Sequence, residues 1–149
     1  MFTLYAGIDG GVHDVDEGTG VATEVVSFGA IVDRIVPNPA NGKVYASMYN
    51  DADTRVRQRS LAGGVWSPVG TAGPVDPSWA LASDGTYLYI AHDSGVYRWD
   101  YGISNPYVGY GSGLPADPFS FSWNRQSHLT VKFGNLYAGC AGRGLWITN

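Results

Sequence analysis

Four residues at a spacing of two, Phe119, Phe121, Trp123 and Arg125, form the densest group of recognition chemistry in this 149-residue chain. In an extended segment that spacing puts all four on one side. Exposed aromatics beside an arginine suit stacking on a sugar ring or anchoring a partner protein. Folded inward, the same four would plug an axis or cover a sheet. A second group, Asn50, Asp51 and Asp53 beside Tyr49, gathers oxygens of the kind a hard cation prefers. Its spacing departs from the EF-hand pattern, which needs further Asp or Asn, a Gly and a distal Glu. Turn formation and pairing with Arg55 are the simpler expectation, and no metal is assigned. Arg55, Arg57 and Arg59 alternate, so they share one face of a strand. That face is expected to meet solvent, with Val56 pointing inward, and would also suit an anionic glycan or acidic partner.

His92, Asp93 and Ser94 bring together the residue types of hydrolytic catalysis. Three neighbours in one turn do not make a triad, whose members converge from separate elements. His13 and His128 have no evident partners, and Cys140 falls where its repeat calls for a small packing residue. No catalytic set is assigned, and the chain is expected to be non-enzymatic and to need no cofactor. The candidate ligand-binding residues are Tyr49, Asp51, Asp53, His92, Phe121, Trp123 and Arg125.

These residues must be held by something, and the chain repeats one unit that would do so. Leu4-Tyr5-Ala6-Gly7, Val44-Tyr45-Ala46-Ser47, Leu88-Tyr89-Ile90-Ala91 and Leu136-Tyr137-Ala138-Gly139 each read aliphatic, Tyr, then small or aliphatic residues. The tyrosines stand 40, 44 and 48 residues apart. A period in the forties, made of short strands and Gly-rich turns, marks a radial array of sheets. The expected fold class is all-β, a β-propeller type with blades of four antiparallel strands and about three and a half to four blades in the chain. One domain spans 1–149, with repeats near 1–42, 43–85, 86–134 and 135–149. Naming a blade's strands A to D outward from the axis, the chain reads B, C, D, then A of the next blade, and about fourteen strands in all.

Composition agrees. Twenty-one Gly, eight Pro, ten Tyr and five Trp suit tight turns between aromatic strands. Glu is confined to Glu17 and Glu24 and Lys to Lys43 and Lys132, so good helix formers are scarce. A net charge of −4 argues against nucleic acid, whose binders present a basic face. The single Cys excludes an internal disulfide. No apolar run reaches the roughly 18 residues of a membrane span, and the first residues lack the basic and apolar regions of a signal peptide. No membrane insertion is expected; a cytoplasmic or virion-associated place fits.

The phrase Leu4-Tyr5-Ala6-Gly7-Ile8-Asp9-Gly10-Gly11-Val12, followed by Asp16-Glu17-Gly18 and Glu24-Val25-Val26, resembles the repeats of BNR or Asp-box propellers of sialidase and sortilin type. Two-component-regulator-type propellers are similar. A full Asp box, Ser-x-Asp-x-Gly-x-Thr-Trp, is absent; Gly63-Gly64-Val65-Trp66 and Asp16-Glu17-Gly18 are remnants. Arg55 to Arg59 with Gly64-Val65-Trp66 is also similar to the strand pairs of small propeller lectins, which build a ring from several short chains. The resemblance implies a binding module for a glycan or protein. The alternatives are a structural subunit of a larger assembly, such as a viral or phage particle, and a degenerate glycosidase-like enzyme fragment. A blade needs neighbours on both sides, and rings hold about four to eight blades. The chain is therefore expected to close on itself as a four-blade ring whose ends share a blade, to form a homo-oligomer with about seven blades from two chains, or to dock on a larger structure. Assembly is favoured.

Overall fold

The computed structural model describes residues 4–8, 11–27, 31–49, 56–69, 78–92, 95–101, 108–110, 128–140 and 144–148. Every regular element among them is a strand, so no described helix is long and apolar enough to cross a membrane. Fourteen strands form four antiparallel sheets in chain order. The first sheet is β1 (Leu4–Ile8), β2 (Gly11–Val15) and β3 (Ala22–Ser27). The second is β4 (Ile31–Asn38), β5 (Lys43–Tyr49), β6 (Val56–Ser60) and β7 (Ser67–Pro68). The third is β8 (Ser78–Ser83), β9 (Leu88–His92), β10 (Gly95–Trp99) and β11 (Val108–Tyr110). The fourth is β12 (His128–Lys132), β13 (Asn135–Cys140) and β14 (Gly144–Thr148). The middle sheets run A, B, C, D; among the described residues the first shows B, C and D and the last A, B and C.

Alternation along the B strands stacks the sheets. Side chains one apart point to opposite faces, and both faces of a middle strand are covered here. In β5, Val44 and Ala46 are fully buried against Val12 of the first sheet, with Trp66 and Ile35. Tyr45 turns the other way, with Val56, Val69 and Val36, onto Leu81, Leu88, Ile90 and Trp99 of the third sheet. In β9 the pattern recurs. Leu88 and Ile90 face back, while Tyr89, Ala91 and Val96 face forward onto Leu129, Leu136 and Ala138 of the fourth sheet. Thus each repeat tyrosine whose side chain lies between sheets serves the sheet that follows it. Burying each large apolar side chain of these layers is worth about 1.5–3 kcal/mol.

The inner strands set the order of the arc. β4 packs beside β8, β8 beside β12, and β1 beside β4. Among the described residues no packing of comparable extent joins the first sheet to the last. The two end sheets are separate three-stranded sheets and do not share a blade.

Turns explain where strands stop. Phe133 (φ 53°) and Gly134 (φ 79°) alone join β12 to β13, the sign pattern of a type I′ hairpin turn. Residues 65–69 read as a strand, but only Ser67–Pro68 pairs. Pro68 offers no amide to a ladder, and Gly63 (φ 103°) and Gly64 (φ 113°) place the chain in a conformation that suits glycine.

Candidate functional site

The strand termini bring several of the expected binding segments to one end of the sheets. Tyr49 closes β5, pairing with Ile31 at the start of β4. His92 closes β9, pairing with Gly95 of β10 and Ser78 of β8. Because neighbouring strands are antiparallel, the connections 50–55 and 93–94 leave from that same end. So does 111–127, which leaves after Tyr110 of β11 and returns at His128 of β12. Inner-strand irregularities sit at this end too, between Val32 and Arg34 in β4 and between Ser78 and Ala80 in β8. Bulges re-aim the residues beside them and gather near sites. Asp51, Asp53, Phe121, Trp123 and Arg125 lie outside the described residues, as do Asn50, Arg55, Asp93, Ser94 and Phe119. Of the seven expected binding residues, the structure places the backbones of Tyr49 and His92 at equivalent edges of adjacent sheets.

The arginine stripe is where the solvent-facing expectation fails. Arg57 and Arg59 pair with Ala46 and Val44, so both share the face turned toward the first sheet. The Arg59 side chain is 5% exposed and its Nη2 donates to Asp14 Oδ1 at 3.2 Å; Asp14 is 38% exposed. The guanidinium also lies over the Trp66 ring, 5.4 Å from its centre. Val56 is buried on the opposite face, toward the third sheet. A middle blade has no solvent face, so alternation between arginine and valine reports two interfaces here. Arg59 joins the first two sheets and is not a surface for an anionic ligand.

The other end of the sheets holds a polar cluster that sequence reasoning leaves out. Tyr101 sits just past β10 at φ 64°, a conformation costly for an aromatic residue unless its surroundings impose it. Its hydroxyl accepts from Asn38 Nδ2 at 2.8 Å and shares a hydrogen bond with Ser83 Oγ at 2.7 Å. Its ring meets Tyr45 at 5.5 Å and Trp99 at 5.2 Å between ring centres. Asn41 Nδ2 donates to the Tyr45 hydroxyl at 2.8 Å. One sheet on, Tyr89 donates to Asp84 Oδ2 at 2.9 Å. The turn before each of these B strands therefore holds the hydroxyl of its repeat tyrosine. Burial pushes Tyr101, Tyr45 and Tyr89 above the ordinary tyrosine value of 10.0. In Tyr89 the bond to Asp84 adds to the effect. With its polar atoms bonded internally, the Tyr101 cluster ties two sheets together and leaves little to offer a ligand. Asn38 and Tyr101 are 63 residues apart, and no local pattern signals that meeting.

The remaining titratable groups are scattered. His13 is half-buried in β2, opposite Ala6 and Glu24, while His128 is exposed at the start of β12. Glu17 is exposed in the 16–21 turn, where Asp16 Oδ1 accepts from the Gly18 and Thr19 amides and the Thr19 hydroxyl. Among the described residues no three His, Cys, Asp or Glu side chains gather as metal ligands would. Met48, three residues after its repeat tyrosine as Cys140 is after its own, is fully buried.

No family model matches the chain, and no curated protein sequence does. Solved structures do. The computationally designed Ika4 protein superposes with a TM-score of 0.68 at 14% identity, over 98% of this chain and 84% of that one. The extracellular domain of the putative hybrid two component system BT4673 from B. thetaiotaomicron gives 0.69 at 14% identity, over 97% of this chain. The same domain described as a putative one component system gives 0.68 at 14% identity. The chain spans a fifth of the length of those extracellular domains. Likeness at this identity is likeness of fold: four antiparallel sheets fanned in sequence, an all-β propeller-like architecture shared with that extracellular domain.

Proposed function

We propose that the chain is a non-enzymatic propeller-like binding module that takes a glycan or protein ligand at the end of the sheets where Tyr49 and His92 stand. The observation that carries this reading is the convergence of strand termini there: β5, β9 and β11 end, and β4, β8 and β12 begin, on one side. Loops anchored on rigid strands are where binding residues concentrate. Tyr49, Phe121 and Trp123 would supply flat apolar faces, and Asp51, Asp53, His92 and Arg125 the polar groups that orient a ligand. A fold shared with the extracellular domain of a putative two component system is compatible with recognition. A glycan array with purified protein tests the reading. Binding of one glycan class, lost in Trp123→Ala and Tyr49→Ala, is the expected result; binding that both variants retain would overturn the placement.

A second reading is favoured by a separate observation. The outward face of the fourth sheet leaves Ile147 55% exposed, which suits a structural subunit that adjoins copies or neighbours. An array empty of glycans favours that reading.

A further inference from the structure

The fourth sheet presents a face that is complementary, by the chain's own repeats, to the opposite face of the first. Leu129, Val131, Leu136 and Ala138 pack back onto the third sheet, so Tyr137 of β13 and Thr130 of β12 turn outward. Tyr137 pairs with Thr130 on one side and with Ile147 of β14 on the other. Thr130 is exposed, and Ile147 is 55% exposed. Twice within the chain the face bearing the repeat tyrosine is covered by the following sheet. Tyr45 is covered by Leu88 and Ile90, and Tyr89 by Leu136 and Ala138. The pair that does the covering always flanks the next repeat tyrosine. In the first sheet the flanking pair is Leu4 and Ala6, which pair in register with Val15 and His13 of β2. Val12 packs forward onto the second sheet, so His13 and Val15 turn the other way, and both are half-buried.

We infer that the first sheet of a second copy seats the face that carries His13 and Val15 on the Tyr137 and Ile147 face of the fourth sheet. The contact continues a packing rule that the chain already obeys between its second and third and its third and fourth sheets. Since the end sheets are separate, two copies bring eight sheets, not the seven blades suggested by counting strands. Eight falls within the range of about four to eight blades that rings adopt. Each copy offers one face of each kind, so two identical head-to-tail contacts close the ring. This inference is independent of what the loop end binds, and a failed glycan array leaves it standing.

Light scattering behind size exclusion tests it, and the expected species has twice the 15.9 kDa chain mass. Ile147→Arg and Val15→Arg should each return the single-chain mass with the far-ultraviolet circular dichroism of the parent. Thr130→Arg, on the same outward face, serves if either fails to fold. Mixing the Ile147→Arg and Val15→Arg chains leaves one contact intact and sets the two arginines together at the other, so the doubled mass should return but only at higher concentration than the parent needs. A parent of single-chain mass would overturn the inference. So would a dimer that survives all three substitutions, or a mass that climbs without limit as an open fibre would.

Discussion

Tyr101 shows how much one residue can hold in place. Its hydroxyl meets Asn38 and Ser83 from two different sheets, and its ring fills the space between Tyr45 and Trp99. Tyr101→Phe keeps the ring but leaves the Asn38 amide short of its acceptor, which should cost about 1–3 kcal/mol in urea unfolding. A null result would mean that the hydroxyl is dispensable. The same tyrosines set an alkaline limit. Tyr45, Tyr89 and Tyr101 are raised above 10.0 in the folded chain. Their contribution is therefore complete below pH 10 and is lost as pH rises through the folded values. Tyrosinate absorbance followed with circular dichroism, compared with the Tyr45→Phe, Tyr89→Phe and Tyr101→Phe chains, should show these three ionising only as the sheets melt. Free titration of the three in a folded chain would contradict the assignment.

At the scale of the element, the B strands were legible because a tyrosine between aliphatic residues, bounded by Gly-rich turns, repeats with little change. Fourteen strands, their order and the B-C-D, A-B-C-D, A-B-C-D, A-B-C phasing follow from that. The side on which Arg59 falls was not legible. Alternation tells which residues share a face, but both faces of β6 are interior, so polarity no longer separates inside from outside. The candidate site was legible only as far as its anchors, since the strand termini at Tyr49 and His92 follow from the repeat. The hairpin at Phe133 is another departure, where residues 128–133 read as one strand. Phe133 is 87% exposed at φ 53°, a position that favours Asn or Gly. Phe133→Asn should raise stability by about 0.5–1 kcal/mol, visible as a higher melting temperature. A lower one would mean that the Lys132 ammonium, 5.1 Å from the ring centre, matters more than backbone conformation.

For the whole molecule, stability should follow position in the arc. The third sheet is covered on both faces, by Tyr45 and its neighbours on one and by Leu129, Leu136 and Ala138 on the other. Among the described residues the fourth is covered on one. In the Ile147→Arg chain, amide exchange in β13 should run about tenfold faster than in β9, a gap of about 1.4 kcal/mol. Equal protection would mean that the arc opens only as a unit.

Among the described residues, the want of extensive packing between first and last sheets bears on how the chain reaches its form. A ring fastened by its own two ends must wait for the final residues before any closing contact exists. Here each sheet is woven from consecutive strands and rests on the one before it, so contacts within a sheet close locally while those between sheets reach back to the preceding repeat. During synthesis the growing chain can lay down one layer after another, each on the layer before it.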